Sequence, residues 1–185
     1  FRRSAQQNLN QWNKGELSSG QFKNLFRKNW GNGYALYKSI FEFLNKNHIP
    51  LIGLKSSKKT EDTFRGNDQP GQNDLPKIDF NDRYHRPFSM SIFGGHQAME
   101  KPYRMLLLWE ETMAQTVADF LKNPSNINSK LVILAGGFHV QYGFGIPKRA
   151  FRRVPHSYSI VLPTVTELPP ELKDREMDVK HVSIP

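Results

Sequence analysis

The sequence predicts an α/β fold with a mostly parallel central sheet flanked by helices. Three observations point there. Helical periodicity alternates along the chain with short apolar runs, LIGL at 51–54, LVILA at 131–135 and YSIVL at 158–162. Those runs have the length and composition of strands buried on both faces. A glycine pair closes LVILA, where the carboxyl end of a strand would turn into a ligand-binding loop.

Taken in order, residues 6–30 carry two helical patterns that divide near Lys14 and Gly15. The segment GYALYKSIFEFLNKNH, 33–48, places Tyr37, Ile40, Phe41 and Leu44 on one face, with Lys38, Glu42, Asn45 and Lys46 on the other. That is an amphipathic helix, and Ile49-Pro50 leads from it into LIGL. Residues 56–82 are rich in charge, Gly, Pro and Asn and read as a long loop or lid. A helix begins near Lys101-Pro102, where proline is accepted in the first turn, and runs to about Leu121 before Asn123-Pro124 stops it. Residues 163–185, rich in Pro and charge, pack along an edge or lead into a further segment. No internal repeat is visible, and a length of 185 residues suits a single domain, 1–185.

Lys and Arg exceed Asp and Glu by 26 − 17 = 9, with a pI near 9.8, which favours acidic partners. Nucleic acid is disfavoured among them, because aromatic residues do not alternate with the basic clusters at Arg2-Arg3, 55–59 and 148–153. The chain has no cysteine, which removes disulfides, thiolate metal sites and cysteine nucleophiles. The longest apolar runs, 105–109 and 131–135, fall far short of the roughly 20 residues that a spanning helix needs. The chain opens on Phe1-Arg2-Arg3 without a starting methionine or a signal peptide, as a processed or trimmed piece of a longer protein would.

One position breaks the pattern of the second long helix. Leu106, Trp109, Met113, Val117 and Leu121 form its apolar face, and Glu110 falls in the middle of them. A carboxylate there must be paired, protonated or facing a cavity. Glu111, one residue on, turns toward the polar side and reads as solvated.

The loop after LVILA has Gly136 and Gly137, then His139 and Tyr142. It is not a phosphate loop, since no Gly-Lys-Ser/Thr follows, and Gly143-Phe144-Gly145 lacks the third glycine of a dinucleotide fingerprint. An imidazole and a phenol remain as the groups that can ligate a metal or an iron-bearing cofactor. His96, in Phe93-Gly94-Gly95-His96, is a second glycine-flanked histidine, and the hydroxyl of Tyr34 sits at the edge of its helix's apolar stripe, within reach of a ligand. His85, between Arg83 and Arg86, reads as a loop residue. Neither a Ser-His-Asp arrangement nor an HExxH motif occurs.

The run WEETMA (109–114) followed by LAGGFHVQYGFGIPKR (134–149) resembles the ChaN-like haem-binding uptake family of the Tiki superfamily. FRRSAQQNLNQWNKGEL at the start, the Trp30-Gly31 region and Ile49-Pro50-Leu51-Ile52 are similar to the same family, so the likeness covers most of the chain. Glu110 stands where the family has aspartate and Leu106 where glutamine is expected; the family's first strand and its Gly-Glu-His motif would lie before Phe1.

The resemblance implies a ChaN-like α/β protein of the bacterial envelope, periplasmic or membrane-anchored as a lipoprotein through an N-terminal lipid anchor. It would bind haem for iron uptake and form a homodimer. It implies Tyr142, in preference to Tyr34, as axial ligand, with His139 and His96 beside the iron or the propionates, Gly136 and Gly137 shaping the loop, and Glu110 as a supporting carboxylate. Two alternatives stand beside this non-enzymatic reading. One is a Tiki-type hydrolase in which His139 ligates a divalent metal ion. The other is an interaction domain whose site has decayed.

Overall fold

The computed structural model describes residues 1–66, 75–92 and 100–163. Among these residues there are seven α-helices and no β-strand, so the α/β sheet expected from the sequence is not formed. The three apolar runs carry no assigned secondary structure, and the single bridge in the described residues joins Arg2 to Lys55. Extended backbone becomes a sheet only when a neighbour completes the hydrogen-bond ladder. Among the described residues, no backbone-to-backbone hydrogen bond reaches 131–135 or 158–162.

Three helices form the first unit of packing. Helix α1 (Gln6–Asn13) and helix α2 (Ser19–Trp30) are the two patterns expected at 6–30. A capping box starts α2: the Ser18 hydroxyl accepts the Gln21 N–H, and the Gln21 side chain accepts the Ser18 N–H. Helix α3 (Tyr34–Lys46) follows Gly33, whose φ of 100° suits glycine alone. Leu9, Trp12, Phe22, Phe26 and Phe41 make their common core, with Phe1, Trp30, Tyr34 and Tyr37 packed around it. The Trp12 and Phe22 rings stack 4.1 Å apart. Residues 51–54 then run back beside the N-terminus. Gly53 lies so close to Arg2 that a Cβ there would come within 2.3 Å of the Arg2 carbonyl oxygen.

The region expected as a loop or lid, 56–82, contains helix α4 (Lys58–Gly66). The Ser57 hydroxyl caps it by accepting the Thr60 N–H at 3.0 Å. Burial of Glu61 fixes its position: the carboxylate accepts hydrogen bonds from Arg2 (2.7 Å), the Trp109 indole (2.8 Å) and Ser56 (3.1 Å). Residues 67–74 of that region lie outside the described residues.

Helix α5 (His85–Ile92) and helix α7 (Ile146–Arg153) have no counterpart in the sequence reading. Asp82 caps α5, its carboxylate accepting the N–H groups of Tyr84 and His85, both at 3.1 Å. Proline in the first turn starts α7. Helix α6 (Glu100–Lys122) is the long helix expected from 101 to 121, stopped at Asn123-Pro124. Helix α7 packs along it, with Met113, Ala114, Val117, Ile146 and Ala150 between them. The 131–135 segment seals that seam: Leu131, Ile133 and Ala135 face it, while Val132 is 82% exposed.

Candidate functional site

The centre of the molecule is a cluster of charges. Glu110 and Glu111, adjacent on α6, are both fully buried, as is Arg149 of α7. The placement of Glu111 corrects the expectation of a solvated residue. At α7 the polypeptide brings three arginines at i, i+3 and i+4 onto one face. Arg149 Nε lies 3.3 Å from Glu111 and 3.7 Å from Glu110, while Arg152 and Arg153 reach Glu111 at 3.0 and 2.7 Å. Arg149 also donates to the Phe144 carbonyl at 2.9 Å and lies 3.7 Å from Asp82. Asp82 in turn holds Lys148 at 2.9 Å. Glu110 is thus paired, which is what its place in an apolar face demanded.

Two imidazoles complete the cluster. His85 Nε2 lies 2.9 Å from one Glu110 oxygen and His139 Nδ1 3.2 Å from the other. His85 is buried at the start of α5, a correction to its reading as a loop residue. Its Nδ1 meets the Tyr103 hydroxyl at 3.3 Å and an Arg149 nitrogen at 3.4 Å. Arg149 can only donate, so this nitrogen is assigned as the acceptor and Nε2 carries the proton toward Glu110. Burial pushes the Tyr103 phenol up to about 12, which keeps its proton in place as a second donor. Burial also works against the Glu110 carboxylate, but hydrogen bonds from His139 and His85 and the charge of Arg149 hold it below the usual carboxylate range. Asp82 is drawn down further, to about 2: burial opposes the shift, and the Lys148 ammonium with the His85 and Tyr84 amides overcomes it.

Above the charges lies the loop 136–145. Two short 3-10 turns, Gly137–His139 and Gln141–Gly143, carry His139 inward and Tyr142 outward. His139 Nδ1 faces Glu110, so its proton sits there, and Nε2 has no hydrogen-bond partner among the described residues. Tyr142 adopts φ 56°, a left-handed conformation rare for a bulky residue, and is 41% exposed. Its ring stands edge-on to Phe88 of α5 at 5.3 Å and tilts against Phe144 at 6.0 Å. Phe88 also stacks on Phe138 at 5.8 Å. Arg83 and Lys148 lie over the Tyr84 ring, and Tyr84 stacks on Phe144, so cations rim this aromatic surface.

The expected glycines are not the ones that geometry requires. A Cβ on Gly136 or Gly137 would make ordinary contacts, at 3.8 and 3.7 Å. Gly143 has φ 73°, and a Cβ on Gly145 would fall 2.2 Å from the His139 carbonyl oxygen and 2.8 Å from Glu110 Oε1. Gly145 is what lets the loop lie against the buried carboxylate.

Of the sequence candidates, Glu110 and His139 are in contact, while Tyr142 lies on the outer side of the same loop against Phe88 and Phe144. Tyr34 does not join them: its ring packs on Phe22 and Phe26 in the α1–α3 core. His96 lies outside the described residues. The sequence reading missed His85, Asp82, Tyr103 and Arg149. The available signal was charge balance, because two consecutive carboxylates on a buried helix need cations, and the Lys148 to Arg153 block is the densest supply in the second half of the chain.

Fold and site together define a helical protein that presents a cation-rimmed cluster of aromatic rings beside a buried carboxylate and its imidazoles. The family is shown by the sequence itself: the chain belongs to the haem-binding uptake family, ChaN, of the Tiki superfamily, whose family model matches residues 1–150 of 185. Neither the curated proteins nor the solved structures include a match to this chain.

Proposed function

We propose that the chain binds haem on the surface formed by Phe88, Phe138, Tyr142 and Phe144, without itself being an enzyme. The observation that carries this reading is Tyr142. A phenol held out of a left-handed turn, half exposed among phenylalanine rings, has its oxygen available to iron and apolar rings beside it for contact with a porphyrin. Arg83 and Lys148 at the rim suit the two propionates. His139 is the second candidate ligand: the Glu110 carboxylate fixes its tautomer and leaves Nε2 turned away, the relation seen between carboxylates and metal-bound histidines. Haem would supply the iron; these residues would bind, orient and neutralise it.

The hydrolase reading is weaker on electrostatic grounds. His139 would be its metal ligand and Glu110 a supporting carboxylate or base, but the Arg149 guanidinium already stands 3.7 Å from Glu110, where a divalent ion would meet its repulsion. Among the described residues, no group of three or more His, Asp or Glu is arranged to hold a metal ion. Iron uptake in the bacterial envelope, a lipid anchor and a homodimer belong to this proposal through the family alone. No described helix is long and apolar enough to cross a membrane.

Hemin titrated into the chain is expected to give a saturable Soret shift. Tyr142→Phe should weaken binding at least tenfold and change the ligand-field bands, and His139→Ala should weaken it less. Wild-type spectra unchanged by hemin, or a Tyr142→Phe variant with the wild-type spectrum and affinity, would overturn the assignment.

A further inference from the structure

The positive charge of the chain is confined to its first third. Residues 1–60 hold 11 of the 26 basic residues and 2 of the 17 acids, a net of 11 − 2 = 9, while residues 61–185 carry 15 of each sign and are balanced. Helices α2 and α3, inside that third, expose Lys23, Arg27, Lys28, Lys38 and Lys46 against a single acid, Glu42, which pairs with Lys38 at 3.5 Å. No ion pair joins the other four to an acid among the described residues. Helix α3 is also apolar over more of its surface than the core uses. At 100° per residue its apolar and aromatic side chains cover an arc of about 180°, from Phe43 round to Tyr34. Tyr37, Phe41 and Leu44 face the α1–α3 core. Leu36, Ile40 and Phe43, within about 60° of one another at the far edge of the arc, are 80%, 37% and 59% exposed. Apolar side chains scattered singly over a surface are ordinary, but three at i, i+4 and i+7 make a stripe, and an exposed apolar patch with a polar rim marks an interaction face. Lys46, in the last turn of α3, places a cation three residues beyond Phe43.

We propose that this face of α3 docks on an anionic lipid bilayer, with Leu36, Ile40 and Phe43 entering the headgroup layer and the cations of α2 and α3 drawing the chain to negative lipids. An apolar stripe on a helix with unpaired cations near it has the composition of a segment that lies in the interface and does not span. The charge selects this occupant over a second copy, whose own first 60 residues bring the same excess of 9. The aliphatic stripe selects it over nucleic acid, since Leu36 and Ile40 offer neither a stacking ring nor a hydrogen bond. The contact requires no lipid anchor and uses none of Phe88, Phe138, Tyr142 and Phe144, so it stands or falls independently of haem binding.

Cosedimentation of the full chain with vesicles of phosphatidylglycerol and phosphatidylcholine in equal parts, compared with vesicles of phosphatidylcholine alone, tests the assignment. Binding to the anionic vesicles should be saturable, at least tenfold stronger than to phosphatidylcholine, and weaker at high salt. The double variant Leu36→Gln/Phe43→Gln keeps the charge and changes only exposed side chains; it should partition about tenfold more weakly, with the melting temperature of the wild type. The proposal is overturned if the wild type ignores the anionic vesicles or binds both kinds alike, or if the double variant partitions as the wild type does, in which case charge alone holds the chain. A wild type that is dimeric by light scattering and becomes monomeric in the double variant would assign the stripe to a second copy, which also overturns it.

Discussion

At the scale of the residue, Arg149 decides the most. Among the described residues, its guanidinium is the one side chain that faces Glu110, Glu111 and Asp82 together, and it is fully buried. Removing it leaves two carboxylates in a low-dielectric interior with reduced compensation. Arg149→Ala should therefore cost about 3–5 kcal/mol in a urea melt, and Arg149→Lys should recover only part of that, because one ammonium cannot span three acids. Asp82 sets a second expectation. Its folded pKa of about 2 lies below the ordinary 3.8, so the stability it contributes is complete above pH 4 and is lost as pH falls toward 2. The difference amounts to on the order of 2 kcal/mol. Glu61, Glu110 and Asp79 shift the same way and widen the acid loss. Thermal melts from pH 5 to 2 should fall steeply for the wild type and less steeply for Asp82→Asn, which starts lower; parallel curves would contradict the assignment.

At the scale of the element, α1, α2, α3 and α6 were legible, α4, α5 and α7 were not, and the expected strands do not form among the described residues. The capping box of α2, the stripe of α3 and the Pro-bounded ends of α6 are local signals, written within a few turns of the residues that obey them. A strand depends on a partner elsewhere, and the runs at 51–54, 131–135 and 158–162 have the composition of strands without a ladder among the described residues. Helix α7 was missed for the opposite reason: its helix-forming RAFRR block looked like a surface charge cluster, while the burial of Arg149 depends on acids 38 and 39 residues earlier. The 131–135 segment still alternates as a strand would. Val132→Lys, on its outward face, should change stability by less than about 0.5 kcal/mol, whereas Ile133→Ala, facing α6 and α7, should cost about 2 kcal/mol. Chemical denaturation of the pair checks the alternation, and equal losses would show that both faces are covered.

At the scale of the whole molecule, the site draws on parts far apart in the chain. Glu110 could be singled out from periodicity, and His139 with Tyr142 from the glycine-bounded loop. His85, Asp82 and Arg149 could not, because their meaning lies in a cluster assembled from α5, α6 and α7. That geography also has a consequence in time. The aromatic core of α1–α3 closes only short loops, all within the first 51 residues, and can form early. The bonds from Arg3 to α6 span 109 and 113 residues, and that from Lys148 to Asp82 spans 66. Each must wait until its distant segments meet. The link between the N-terminal residues and α6 is therefore expected to close after the α1–α3 core, whereas the pairing of Glu110 with Arg149, 39 residues apart, spans no more chain than Phe1 and Phe41 do within that core.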